Sequence, residues 1–367
     1  MRAPVLFLLP LLAYAQQPAT VDSLPATLIA NDQIELATLN QGGAFVRLTR
    51  QADPEKLNPM WTPAGRGSSR GHFLCVDGFG PTSEQERAAG LQGHGEAHRQ
   101  PWKLISSGRN GKVQHLEWQT RLPLVQEKLT RKVELVDGEP VVYVDTALEN
   151  ELSFDRPINW AEHATIGYPF LRPEQTVVDA SVGRCQTRPH NNIPPNRTLE
   201  GGKEFTYPVA PLQRGGVRDL RQVPNPPNSL DHTGCVVNPA DRLGWVTAIQ
   251  LEKRVVFGYL FRREEYPWLQ EWLNYPANMA LSRGLEFGTQ PFDVPRREAI
   301  EMNRMFDTPT YRWLPAKSRI TSRFLMFYAP VPAGFKKVDS VRQENGELIL
   351  TDQAAKLTVR ILASLPL

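Results

Sequence analysis

The sequence predicts an all-β protein in which extended sheets pack face to face, and three observations carry that expectation. Proline and glycine account for 32 and 26 of 367 residues. They punctuate the chain too often for long helices, because proline breaks the helical hydrogen-bond ladder and glycine weakens it. Several segments alternate apolar and polar residues with period two, the pattern of a strand with one buried face. Asp-Gly and Asn-Gly pairs join some of these segments and supply the positive φ that tight hairpin turns require.

In chain order, the first element stands outside the fold. Arg2, the apolar run 5–12 and Ala13-Tyr14-Ala15 have the layout of a secretory signal peptide. The run is too short to span a bilayer, and no later stretch approaches the ~20 apolar residues of a membrane helix. Removal of residues 1–15 would leave 16–367 as a single domain, periplasmic or secreted. Strands are expected over 112–120 and over 129–135, where the alternation is clearest. Asp137-Gly138 then turns the chain into a returning strand over 141–148. A further strand is expected over 255–261, and near the end Asn345-Gly346 leads into 347–351, followed by alternating Leu357, Val359 and Ile361. Residues 184–228 are rich in Pro, Asn, Gly and Arg and read as a long surface loop, with a roof over a binding site as the alternative.

Bulk properties narrow the function. A formal net charge of +3 with scattered arginines does not suit a nucleic-acid partner. Cys75, Cys185 and Cys235 are an odd number for an exported chain. One disulfide with one thiol, or three buried thiols, both satisfy the count. No C-x-x-C occurs, so a structural zinc ribbon is unsupported. His94 and His98 have the i, i+4 spacing of helical zinc ligands, but Gly93, Gly95 and Pro101 oppose a helix there.

Three islands are richer in polar and aromatic residues than core strands need: 92–102, 158–167, and 271–275 with 282–292. Glu286 stands between Leu285 and Phe287, and a carboxyl in an apolar strand is costly to bury unless paired. Its reason for being there is either a structural partner such as Arg283 or catalysis. Trp102, Trp160, Trp268 and Trp272 lie near these islands, where they either line a sugar site or fill a wide core.

Read together, the islands resemble the aldose 1-epimerases (galactose mutarotases). The resemblance runs through Gln41-Gly42-Gly43-Ala44-Phe45-Val46, Arg70, His94-Gly95, Asn159-x-x-x-His163, Asp231-His232 and Leu285-Glu286-x-x-x-Gln290. It spans roughly residues 30–335, in the family's order and with similar spacing. The stretch His94-Gly95-Glu96-Ala97-His98-Arg99 is also close to the hexose-phosphate epimerase branch. Arg66 competes with Arg70, since the family's Asn-Arg-Ile is absent, and one extra residue precedes Gln290.

The resemblance implies a β-supersandwich of two large, mostly antiparallel sheets. It implies anomer interconversion by acid/base opening of a sugar ring, on a monosaccharide or a glycan end, with no cofactor and no metal. By resemblance Glu286 is the base, His163 the acid, and His94 a hydrogen-bonding partner near the ring oxygen. Arg70, Asp231, Trp272 and Gln290 would contact the sugar. Two alternatives remain open: a catalytically silent carbohydrate-binding protein on the same fold, and a lyase-like protein using Tyr266 with His232.

Overall fold

A computed structural model describes residues 17–189 and 195–367, so the expected leader lies outside the described residues. The architecture is the predicted one, almost entirely antiparallel strands. A 12-stranded sheet faces an eight-stranded sheet, and the two described α-helices, Glu84–Ala88 and Arg296–Met302, are short. Among the described residues no helix is long and apolar enough to cross a membrane.

The inner strands of the eight-stranded sheet are buried on both faces. Strand Val141–Asn150 shows how: Val142 and Val144 join the core shared with the 12-stranded sheet. Val141 and Tyr143 point the other way, into a second core closed by Val341, Leu348, Leu350, Val359 and Ile361. Those last residues belong to a three-stranded C-terminal sheet, Ser340–Glu344, Glu347–Asp352 and Leu357–Leu362. The hairpin expected after Asn345-Gly346 is therefore present, and it forms a third layer. Two-sided burial explains why 141–148 reads as an almost unbroken apolar run.

A buried polar cluster joins the two large sheets. Arg131, on Glu127–Val136 of the eight-stranded sheet, reaches across the core to Glu162 on Trp160–Gly167 of the 12-stranded sheet, with Nη2 donating at 2.6 and 2.8 Å. His72 Nε2 lies 2.8 Å from the same carboxylate, and the Tyr266 hydroxyl lies 3.2 Å from it and 2.6 Å from Ser322 Oγ. Burial acts to raise the Glu162 pKa, but the Arg131 charge and the His72 bond outweigh it and hold the carboxyl at about 2.

The segment 184–228 is not a plain surface loop. Cys185 lies opposite Cys235 in the pairing of Val182–Thr187 with Ser229–Val237, and the two are disulfide-bonded. Cys75 is free and buried. Beyond it the chain forms short strands at Glu204–Thr206, Val209–Pro211 and Val217–Asp219.

Candidate active site

The pleat of the 12-stranded sheet builds the site. Side chains directly opposite on neighbouring antiparallel strands share a face. Phe73 on His72–Val76 is opposite His163. The pairs Thr165↔Gly284 and Glu162↔Phe287 keep one register, which sets His163 opposite Glu286. Glu286 is opposite Gln270, and Gln270 opposite Gly234. Phe73, His163, Glu286 and Gln270 thus form one row on the face away from the eight-stranded sheet. His232 and Trp272, themselves opposite each other, lie two residues along on the same face.

Loops complete a cleft of about 350 Å³ over this row. Its lining includes His94, His163, His232, Glu286 and Asp293, with Trp61, Phe73, Phe79 and Trp272 as apolar walls. His94 sits in a tight turn with φ of +65°. A Cβ on Gly95 would lie 2.2 Å from Val76 O, so only glycine lets this turn press against the sheet. A larger cleft of about 530 Å³, lined by Glu264, Glu265, Arg312 and Trp313 among others, contains no histidine among the described residues.

The His163 Nδ1 atom is 3.3 Å from Glu286 Oε1 and 3.2 Å from Thr165 Oγ1. The contact with Glu286 lacks hydrogen-bond alignment, leaving Oε1 without a hydrogen-bond partner among the described residues. The His163 ring stacks on Phe73, centroids 4.2 Å apart, which fixes its plane. Burial, reinforced by Asp293, pushes the Glu286 carboxyl well above the usual carboxylate range. Burial, with neighbouring histidines, pushes His163 well below the usual imidazole range. Both shifts favour a neutral carboxylic acid beside a neutral imidazole.

His94 lines the cleft. The Gly80 amide donates to its Nδ1 at 3.2 Å, so in the neutral ring the proton sits on Nε2. Burial holds this histidine neutral by lowering its pKa to about 4.

The other expected contacts fall elsewhere. Arg70 is buried outside the cleft lining and donates to Asp22 at 2.7 Å, while Arg66 lines the cleft. Asp231 misses by one residue of pleat. Its neighbour His232 faces the cleft, and Asp231 points to the opposite side, where it accepts from the Thr198 and Leu199 amides at 2.9 and 2.8 Å and so pins the 184–228 segment. Gln290 is buried, with Nε2 donating to Phe79 O at 3.1 Å and to Phe292 O; it shapes a cleft wall from behind. Arg283 lies on the core face and pairs with Glu271, not Glu286. Tyr266, between the sheets, is on the opposite face of the sheet from His232, so the pair considered for lyase chemistry does not assemble.

Asp293 is the site carboxylate that sequence reasoning missed. Arg188 holds it, with Nη1 at 2.8 Å from Oδ1 and Nη2 donating to its backbone carbonyl at 2.9 Å, and His232 Nε2 is 3.5 Å from Oδ1. The segment carrying it crosses the sheet where a Cβ on Gly234 would lie 2.0 Å from Pro291 O. A glycine in a fully buried strand is the sequence signal for such a close backbone approach.

Gly284 offers a local test. A Cβ there would lie 2.5 Å from Glu286 Oε1, yet the backbone is not in the positive-φ region. Gly284→Ala is expected to displace the carboxyl and slow any reaction that uses it by about a hundredfold. The melting temperature should change little, because the obstructed group is the end of a flexible side chain. Turnover and thermal melting of the same preparation check this.

No protein-family model and no curated protein matches the chain. Solved structures do. A galactose mutarotase-like protein from Clostridium acetobutylicum superposes with a TM-score of 0.63 at 14% identity, over 86% of this chain and 98% of that one. A galactose mutarotase related enzyme from Lactobacillus acidophilus gives 0.58 at 11% identity, over 85% and 100%. A galactose mutarotase-like protein from Lactobacillus casei gives 0.51 at 13% identity, over 83% and 99%. The chain therefore has the galactose mutarotase-like fold, as its motifs led one to expect.

Proposed function

We propose that this protein interconverts the anomers of an aldose by acid/base opening and closing of the sugar ring, and that it does so outside the cytoplasm. The observation that carries the reading is the neighbouring pair His163 and Glu286, 3.3 Å apart on the cleft floor. Ring opening removes a proton from the anomeric hydroxyl and adds one to the ring oxygen. Both oxygens are bonded to the same carbon, so the base and the acid must be neighbours, each within hydrogen-bond reach of its atom.

The family resemblance makes Glu286 the opening base. Burial supports the reverse starting state, a neutral pair, which performs the same exchange in the opposite order. His163 takes the anomeric proton, the bond from C1 to the ring oxygen breaks, and Glu286 protonates that oxygen. Rotation about C1–C2 presents the other face of the aldehyde. The ring oxygen then returns its proton to Glu286 as it attacks C1, and His163 returns the other to the new anomeric hydroxyl. The His94 Nε2–H would stabilise the charge that develops on oxygen. Trp61 and Trp272, edge to face with centroids 5.5 Å apart, offer apolar walls for the C–H faces of a sugar.

Export is supported by the expected leader and by the Cys185–Cys235 disulfide, a bond that persists mainly in oxidising compartments.

The test is the rate of α-to-β interconversion of freshly dissolved aldoses, followed by NMR with purified protein. Acceleration is expected, with a bell-shaped pH dependence. The rate should rise as His163 loses its proton, on a limb below the ordinary imidazole pKa. It should fall as Glu286 ionises, on a limb above the ordinary carboxylate pKa. No acceleration of any aldose that binds would replace this reading with the catalytically silent carbohydrate-binding protein.

A further inference from the structure

The cleft of about 530 Å³ takes no part in the chemistry of His163 and Glu286, yet its walls are fixed in place. On one side, strands Arg304–Met305 and Thr308–Pro309 form a hairpin. Trp268 Nε1 donates to Pro309 O at 2.7 Å, which ties the hairpin to the 12-stranded sheet. Thr310 Oγ1 donates to Ala299 O at 2.6 Å, which ties it to helix Arg296–Met302. On the other side, strand Arg312–Leu314 pairs with Arg156–Ile158. Leu314 is buried, so the alternation of the strand turns Trp313 outward, where it is 55% exposed. Tyr311 stands edge to face with it, centroids 5.7 Å apart.

The lining sets the kind of ligand. Trp313 and Tyr311 give the cleft a flat apolar surface with polar tips. Among the described residues, Arg263, Arg304 and Arg312 are matched by Glu264, Glu265 and Asp307, so the formal charges cancel. That balance does not suit a phosphate or a nucleic acid, which would call for an excess of positive charge. Glu265 is already engaged, accepting from the Arg323 amide at 2.9 Å. Glu264 and Arg312 make no hydrogen bond among the described residues. They offer an acceptor and a planar set of donors beside the aromatic surface. A protein partner needs a broad complementary face, whereas here one strongly exposed indole stands in a concave cleft. A ring with C–H faces and several hydroxyls uses every one of these features.

We propose that this cleft is a second carbohydrate site, which holds a unit of a neutral glycan against Trp313 with its hydroxyls on Glu264 and Arg312. It is separate from the first cleft. Trp272, which walls that cleft, and Trp268, which holds the hairpin of this one, are four residues apart on one strand, a distance of ~13 Å. The proposal does not depend on anomer exchange.

NMR titration of the indole N–H signals tests it without turnover, once Trp313→Phe and Trp272→Phe have assigned those two signals. The probes are cellohexaose, mannohexaose, xylohexaose and maltohexaose. At least one should move the Trp313 signal saturably. By calorimetry, Trp313→Ala should weaken that glycan about tenfold or more, with circular dichroism confirming the fold. Arg312→Gln should weaken it as well, and high sodium chloride should change the affinity little, because the ligand is uncharged. The proposal fails if none of the four glycans binds, if binding moves the Trp272 signal alone, or if Trp313→Ala leaves the affinity unchanged. It fails equally if the Trp313 signal follows protein concentration and sedimentation shows a dimer that Trp313→Ala dissociates, for then a second copy covers the indole. Glycan binding at Trp313 without anomer exchange of any aldose would sink the catalytic reading and leave this site standing.

Discussion

Glu286→Gln is expected to slow anomer interconversion by about 10²- to 10⁴-fold, the usual contribution of a positioned acid/base group, in a protein that folds normally. Glutamine keeps the shape and can still donate a hydrogen bond, but it cannot exchange a proton. Residual activity should lose the high-pH limb, because the group that ionises there is gone. Stability gives an independent check with a definite sign. A carboxyl whose folded-state pKa is raised contributes stability that is fully present below its unfolded pKa and is lost as pH rises through the folded value. Wild type should therefore lose stability between those two values, and the variant should not. At neutral pH the variant should be as stable as wild type or more so, measured by urea unfolding at several pH values. A variant that is inactive because it is unfolded would break the argument.

Glu162→Gln should produce the largest loss of stability. The carboxylate is fully buried and accepts from Arg131 across the interface of the two large sheets. Removing one partner leaves an uncompensated buried charge, at a cost of about 3–5 kcal/mol. The double variant Glu162→Gln with Arg131→Met should recover part of that loss, since the two positions form one unit. The folded-state pKa of about 2 lies below the unfolded value, so the contribution is present above roughly pH 4.3 and is lost as pH falls toward 2. Acid unfolding of wild type should be steep over that window and shallower in the double variant. Equal stabilities of the single variant and wild type would show that the cluster does not join the sheets.

The β architecture was legible because period-two patterning and turn chemistry act locally. The third layer was not, since nothing in 340–362 says which surface its apolar face covers. The site divides along the same line. His94, His163, Glu286 and Trp272 come together; the first three belong to motifs read by residue order, and Trp272 is one of the tryptophans that stand near them. Asp231 diverges because order does not fix the pleat. Two adjacent polar residues on one strand face opposite ways, and the tertiary pairing decides which reaches the cleft. Arg70 and Arg66 flank a turn, where side-chain direction follows no period. Asp293 depends on contacts through Gly80 and Gly234, far away in sequence, whose added Cβ atoms would both collide with its segment.

Glu162 and His163 are consecutive, and the pleat sends one to the core and the other to the cleft. The strand that locks the two sheets is thus also the strand that aims the imidazole. A shift of one position would exchange their roles, stranding the carboxylate in solvent and the histidine in the interior. Variation in this segment is accordingly confined to changes that preserve its phase. The cleft walls at Trp61–Arg66, at Arg99 and at Asp293 come from connecting loops and carry no such constraint. A lineage built on this scaffold can therefore alter what it grips by changing loops, while the reacting pair stays fixed.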